Sequence, residues 1–386
     1  MFQFTRLPPL ALYIHFPWCV RKCPYCDFNS HEIRAELAEA AYIDALIADL
    51  EQELPRIWGR SVSSIFMGGG TPSLFSATSL DRLLSALRAR LVFTPNVEIT
   101  LEANPGTVEQ DRFSEFHATG INRLSIGVQS FQNPQLQLLG RIHDGEDAIR
   151  AAEAAHAAGF DNFNLDLMFA LPGQTLQSAR QDLHTAISLA PTHLSYYQLT
   201  IEPNTLFHSH PPELPDEDLA WAMQCEGQVQ LAGAGYTQYE VSAYAQKTRE
   251  CRHNRNYWQF GDYLGIGAGA HDKITDMAQQ SITRSWKVKH PDSYLSKAAT
   301  AQRIAGTRHL QQDDAILEFM LNALRLTDGF TTKLFQQHTG LPLSSVTATL
   351  QEAESKGWLS WQDDSIRPTE EGQRLHNDLV GLFLPV

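Results

Sequence analysis

The stretch from Tyr13 to Phe28 reads YIHFPWCVRKCPYCDF, and the reading of the whole chain turns on its three cysteines, Cys19, Cys23 and Cys26. Three thiolates on a short loop just after a β-like run (Ala11–His15) can hold three irons of a [4Fe–4S] cubane and leave the fourth without a protein ligand. That open iron can chelate the amino and carboxylate groups of a small molecule. The competing reading is a zinc site with His15 or His31 as fourth ligand. Zinc ligands usually come as two CxxC-type halves with a longer spacer, which is absent here. The remaining cysteines are Cys225 and Cys251. A disulfide framework would spread an even number of cysteines along the chain, whereas clustered reduced thiols point to metal and to a cytoplasmic protein.

The 386 residues are 43% hydrophobic, ample for a large domain and a smaller one. A net charge of −14 argues against a nucleic-acid partner and against direct binding to an anionic membrane surface. Met1 to Leu10 lacks the basic start and long apolar run of a secretory signal, and the apolar run around Leu10–Ile14 is too short to span a bilayer.

Outward from the cysteines, β-like runs at Ala11–His15, Val62–Met67, Val97–Glu102, Arg123–Gln129, Asn162–Leu167 and Leu194–Leu199 alternate with helical patterns. These cover Glu36–Leu54, Ser79–Arg90, Val108–Thr119, Glu146–Ala158 and Leu176–Leu189. Six βα repeats imply a parallel sheet. Val97, Ile99 and Leu101 share one strand face and Glu98, Thr100 and Glu102 the other. Leu124, Ile126 and Val128 likewise oppose Arg123, Ser125, Gly127 and Gln129, and Phe163, Leu165 and Leu167 oppose Asn162, Asn164 and Asp166. A sheet buried on both faces would be apolar on both. A repeatedly polar face predicts a barrel with a polar lumen, and Glu102, Gln129 and Asp166 fall near the strand ends that carry chemistry in α/β barrels. The expected organisation is a partial (β/α)6 barrel over residues 1–210, an extension and connecting region over 211–312, and a mostly helical, winged-helix-like domain over 313–386. A Pro- and acid-rich break at His210–Asp218 separates the first two.

Cys-x-x-x-Cys-x-x-Cys after a first strand, inside Tyr13-to-Cys19 and Cys23-to-Phe28, resembles the oxygen-independent coproporphyrinogen oxidase-like family of radical S-adenosylmethionine (radical SAM) proteins. The resemblance covers nearly the whole chain. It implies a [4Fe–4S] cluster on Cys19, Cys23 and Cys26 with S-adenosylmethionine bound to it. By the same resemblance, Tyr13 contacts the cofactor and Tyr25 lies against its adenine. Gly69, Gly70 and Thr71 of the Gly68–Pro72 string (GGGTP) approach its methionine end, Glu102 takes the ribose, and Gln129, Arg141 and Asp166 surround nucleotide and methionine. Arg141 is the expected partner of the methionine carboxylate. The plainer reading of GGGTP is a tight βα turn, and that of the acids and amides is lumen packing.

His253 to Trp258, HNRNYW, matches the HNRxYW motif of the family's heme-chaperone branch. A neutral imidazole at His253 suits heme iron, Tyr257 and Trp258 suit stacking on a porphyrin, and Arg255 suits a propionate. The plainer reading is a structural aromatic cluster. Cys251 is either an additional iron or macrocycle ligand or a free surface cysteine. His143 is a helix-start histidine or a ligand, and His271 is a secondary heme-ligand candidate beside a close-packed glycine turn (Gly265–Gly269). The 313–386 segment carries five Lys or Arg against eleven Asp or Glu, a net of −6, which argues against DNA.

Two departures from the oxidases bear on function. Phe28 stands where they carry a fourth cysteine, and only 18 residues precede Cys19. The expectation is therefore a heme chaperone that binds heme and passes it to an acceptor protein. Peripheral membrane association through a partner and a homodimer are compatible with that role. The alternatives are an oxygen-independent coproporphyrinogen III oxidase and a non-catalytic interaction protein with structural zinc.

Overall fold

A computed structural model describes residues 1–34, 36–106 and 110–385. Among them, twelve strands form one sheet. Its parallel centre is β1 (Leu10–Phe16), β2 (Ser61–Gly69), β3 (Val92–Ala103), β4 (Arg123–Gln129), β5 (Phe163–Phe169) and β6 (His193–Gln198), paired in that order. The crossover helices are α1 (Glu39–Glu53), α2 (Ala77–Arg90), α3 (Gln110–Ala118), α4 (Gly145–Ala157) and α5 (Leu176–Ser188). The start of the helix expected at Val108–Thr119 lies outside the described residues, as does the last residue of the C-terminal segment.

The strand alternation explains the layering. Ile65, Met67, Ile99, Leu101, Leu124, Ile126 and Leu165 join the apolar faces of the helices, such as Tyr42, Ile43, Leu46 and Leu50 of α1, in the main core. Their neighbours face inward as lateral rows: Ser64 opposite Glu98, Thr100 opposite Arg123, and Ser125 opposite Asn164, itself opposite His193. Helix starts are capped where the sequence supplies the oxygen. Ser76 accepts from Ser79 N–H at α2, and Asp144 with Asp147 forms a capping box at α4.

The sheet continues beyond β6. After α6 (Glu217–Gly233), the β-like stretch Tyr239–Tyr244 proves to be two short strands, β7 (Thr237–Glu240) and β8 (Ala243–Ala245), joined antiparallel to the β6 edge. On the other side β9 (Asp262–Ile266) runs parallel to β1, and β10 (His271–Asp276), β11 (Ser281–Lys287) and β12 (Ile304–His309) follow antiparallel. The sheet ends at β12 on one side and β7 on the other, so the barrel is incomplete. Between the two flanks lies a helix that periodicity did not reveal: the HNRNYW segment is α7 (Arg252–Trp258). It packs against β1, β2 and β9 on the lumen side, where His253 Nδ1 meets Ser64 Oγ at 3.2 Å.

The C-terminal segment contains α8 (Gln312–Ala323), α9 (Thr332–Thr339), α10 (Thr347–Ser355) and a three-stranded wing of β13 (Phe330–Thr331), β15 (Ser365–Pro368) and β14 (Leu359–Gln362). Its apolar core takes in Phe2 and Phe4 from the chain start, tied by Gln3 N–H to Gly340 O at 2.7 Å. No helix among the described residues is long and apolar enough to cross a membrane.

Candidate functional site

The cysteine loop leaves β1 and is held by backbone. Trp18–Cys19 pairs in parallel with His31–Glu32. The GGGTP turn closes on the same loop, with Gly70 N–H donating to Phe16 O and Thr71 N–H to Trp18 O, each at 2.7 Å. Side chains at these glycines would collide with the protein itself. Gly69 has φ of +107° and faces the His15 ring, and a Cβ on Gly70 would meet the Trp18 and Phe16 carbonyls. The turn is therefore a tight βα turn that also brings backbone to the wall of the cysteine cavity.

That cavity, of about 520 Å³, lies at the C-terminal ends of the strands. Cys19, Cys23, Cys26, Tyr25, Gly69, Gly70, Thr71, Glu102, Gln129, Arg141 and Asp166 all line it. Each thiol has a polar neighbour. Thr71 Oγ1 lies 3.6 Å from Cys19 Sγ, Arg141 Nη1 3.6 Å from Cys23 Sγ, and Ser30 Oγ 3.7 Å from Cys26 Sγ. Arg141 is oriented by Asn104 Oδ1 and Gly127 O, both 2.6 Å from Nη2, while its Nε is buried without a partner. Gln129 ends β4 with φ of +71°, and Tyr197 O–H donates to its Oε1 at 2.8 Å. A left-handed glutamine at a strand end is the kind of backbone strain that marks a working site.

This donor set fits an iron–sulfur cluster better than zinc. His15, the proposed fourth zinc ligand, has both nitrogens engaged. Nε2–H donates to Asn29 O at 2.8 Å, which leaves Nδ1 to accept from Tyr13 O–H at 3.1 Å. His31 is held 3.3 Å from Asn29 Oδ1. Among the described residues no group of three or more His, Cys, Asp or Glu side chains is arranged to hold a single metal ion. A cubane instead offers a separate iron to each thiolate, and donors aimed at the sulfurs stabilise the charged cluster.

Two carboxyls oppose one another in the lumen. Burial first, then Asp166, pushes Glu102 up to about 8, although Gly69 N–H donates to its Oε2 at 3.0 Å. Burial also raises Asp166, against hydrogen bonds from Asn164 Nδ2 (2.8 Å) and Ser125 Oγ (3.1 Å). A ligand carrying positive charge would favour the ionised form of both.

Tyr13 and His253 belong to a second cavity, of about 560 Å³, that shares Gly69, Glu102 and Asp166 with the first. Its walls include Phe66, Tyr257, Trp258, Tyr263 and His271. The Tyr13 ring lies 6.4 Å from both Phe66 and His253, and Phe66 lies 5.1 Å from His253. The volume is within the ~300–1,000 Å³ usual for sites that enclose small ligands. Burial, then the charge of Arg123, pushes His253 down to about 3. Its imidazole is neutral at physiological pH, the form that binds iron. Because His253 titrates normally only when unfolded, its contribution to stability is present above about pH 6.5 and is lost as pH falls. The margin of wild type over His253→Asn is expected to hold above about pH 6.5 and to shrink by on the order of 3 kcal/mol toward pH ~4. Urea midpoints of the two proteins across that interval test it, and a margin independent of pH would contradict it.

Several motif expectations need correction. Cys251 is neither a surface thiol nor a cavity residue: it is fully buried, donates to Glu98 Oε1 at 3.6 Å, and is pushed up to about 12, chiefly by burial. Arg255 is committed to ion pairs with Glu250 (2.6 Å) and Asp328, so it is not available to a ligand in the lumen. His143 is buried, with Nε2–H donating to Val128 O at 3.1 Å, in keeping with a structural histidine. The site also contains residues that motif reading did not single out. Asn104, two positions beyond Glu102, orients Arg141 and donates to Thr71 Oγ1 at 2.9 Å. Glu98 accepts from Arg252 N–H and His253 N–H, each at 3.1 Å, and so caps α7 from the lumen wall. The polar face of the strand alternation contained Glu98; its partners could not be inferred from spacing.

Comparisons with known proteins place the chain in a family. The radical SAM superfamily profile matches residues 13–186, and the HemN C-terminal domain profile matches 310–375. Heme chaperone HemW of Escherichia coli (strain K12) is 48% identical over 98% of this chain and 99% of its own length. HemW of Bacillus subtilis (strain 168) is 32% identical over 97% and 99%. The mitochondrial radical S-adenosyl methionine domain-containing protein 1 of Mus musculus is 34% identical over 97% and 87%. Among solved structures, coproporphyrinogen III oxidase (HemN) from E. coli, a radical SAM enzyme, superposes with a TM-score of 0.82 at 25% identity, covering 98% of this chain and 90% of that one.

Proposed function

The chain belongs to the HemW family of heme chaperones in the radical SAM superfamily, and from that membership we propose that it binds heme in the lumen, behind a cluster with bound S-adenosylmethionine, and passes the heme to an acceptor protein in the cytoplasm. The observation that carries the reading is the pair of joined cavities: one rimmed by three thiols, the other walled by aromatic rings around a neutral imidazole. Cys19, Cys23 and Cys26 would hold the cluster, which when bound supplies an open iron for the cofactor and an electron store. Thr71, Arg141 and Ser30 would then donate hydrogen bonds to the cysteine sulfurs. Glu102 and Asp166 offer paired carboxyls to the cationic, hydroxyl-bearing cofactor. Tyr13 lines the second cavity beside His253, within reach of its occupant.

In the second cavity, Phe66, Tyr257, Trp258 and Tyr263 offer apolar faces to a macrocycle, and His253 a neutral nitrogen. Titration of purified protein with heme is expected to produce a shifted Soret band, and His253→Ala is expected to weaken binding by at least about tenfold. A wild-type protein that leaves the heme spectrum unchanged would sink the reading. Anaerobic incubation of reconstituted protein with coproporphyrinogen III and reductant is expected to release no carbon dioxide. Release would replace the chaperone reading with the oxidase one.

A further inference from the structure

The lumen holds a buried guanidinium that makes no side-chain hydrogen bond or ion pair among the described residues. Arg123 is the first residue of β4 and faces inward, opposite Thr100. It is only 2% exposed, among the largest buried side chains of the protein, and it lines the 560 Å³ cavity. Among the described residues its guanidinium takes part in none of the side-chain hydrogen bonds or ion pairs found, and its Nε is buried without a partner. The other buried cations are handled differently. Lys273 pairs with Asp262 at 2.8 Å, and Arg303 lies 2.8 Å from Asp49 and 2.6 Å from Glu53.

The carboxylates whose field Arg123 feels are already engaged. Glu98 accepts from the two backbone N–H groups at the start of α7, and Asp166 accepts from Asn164 and Ser125. His193, also on this wall, is bonded to Asn164 Oδ1 at 2.7 Å and Tyr239 O–H at 2.9 Å and carries no charge to offer. Burial opposes the Arg123 charge and the fields of Cys251, Glu98 and Asp166 outweigh it, so the guanidinium stays charged while its donors lack an acceptor, which a ligand anion would supply. An Arg fork matches a carboxylate in two parallel hydrogen bonds.

We propose that Arg123 anchors a carboxylate of the tetrapyrrole, so that the ligand enters the lumen with one propionate directed to its floor beneath His253. The assignment rests on reading this lumen as the heme site, and it gives to Arg123 the role that sequence had suggested for Arg255.

The test compares heme with its dimethyl ester, in which the propionates are neutral, by Soret titration of wild type and Arg123→Met. Wild type is expected to prefer heme over the ester by about 10- to 100-fold. Arg123→Met is expected to bind both with the affinity that wild type shows for the ester, and to keep its affinity for S-adenosylmethionine. A variant that retains the wild-type preference overturns the proposal while leaving the heme reading intact. A variant that loses S-adenosylmethionine instead moves Arg123 to the cofactor. A wild type that binds neither heme nor ester removes the heme reading itself. A variant that fails to fold would make Arg123 structural and overturn the proposal as well. Arg123→Lys, which keeps the charge without the fork, is expected to retain part of the preference.

Discussion

Cys23→Ala protein is expected to stay colourless after anaerobic reconstitution with iron and sulfide, where wild type turns brown with a broad visible absorption. Cys23 lies between the other two thiols in sequence, and its Sγ is the one that faces the Arg141 guanidinium. With two thiolates remaining, two of the three protein-ligated irons have ligands and the cubane has no stable seat. Burial holds the neighbouring thiols protonated in the metal-free protein, with Cys19 pushed up to about 11. Assembly must therefore release protons, and reconstitution of wild type is expected to improve as pH rises through the thiol range. The cysteine loop lies at a cavity mouth, where Cys23 is half-buried. The unfolding free energy of metal-free Cys23→Ala is accordingly expected within about 1 kcal/mol of metal-free wild type. Metal analysis separates the alternatives. Iron and sulfide lost together support the cluster, whereas stoichiometric zinc in a colourless wild type would contradict it.

Glu98→Ala is expected to produce the largest loss of stability among single substitutions in the lumen wall, together with loss of heme binding. The Glu98 carboxylate is buried and accepts three donors from the start of α7: the backbone N–H groups of Arg252 and His253 and the thiol of Cys251. Truncation leaves two backbone donors unmet at the start of a seven-residue helix, the His253 N–H buried and the Arg252 N–H partly so, at a cost of about 2–5 kcal/mol. Glu98→Gln keeps one carbonyl acceptor and is expected to lose less. Urea unfolding measures the stability, and the Soret titration measures the consequence, because α7 carries His253, Tyr257 and Trp258 into the second cavity. Equal heme affinity in wild type and a folded Glu98→Ala would show that the position of α7 does not matter to the ligand.

Much of the architecture was legible because it depends on short-range pattern. A period-2 alternation places Glu98, Thr100 and Glu102 on one face of β3 wherever that strand lies, and pairing with β4 and β5 stacks Ser125, Asn164 and Asp166 beside them. The strands after residue 236 were harder to read. β9 runs parallel to β1 although about 250 residues separate them in sequence, and β7 and β8 are only four and three residues long.

The three clustered cysteines, the inward polar face and the HNRNYW segment are properties of covalent spacing, and the sequence by itself determined them. Tertiary structure alone decided which of those groups are spent. Arg123 and Arg255 carry the same guanidinium. Glu250 and Asp328 neutralise Arg255, whereas the walls of the lumen leave Arg123 buried with its Nε unmet. Cys251 and Cys23 carry the same thiol. Glu98 holds the first in the interior, and the β1 loop carries the second to the cavity mouth. The reason is electrostatic and long-range. A charge acquires its function from the partners and the water around it, and two of the deciding partners, Asp328 for Arg255 and Glu98 for Cys251, lie more than seventy positions away along the chain.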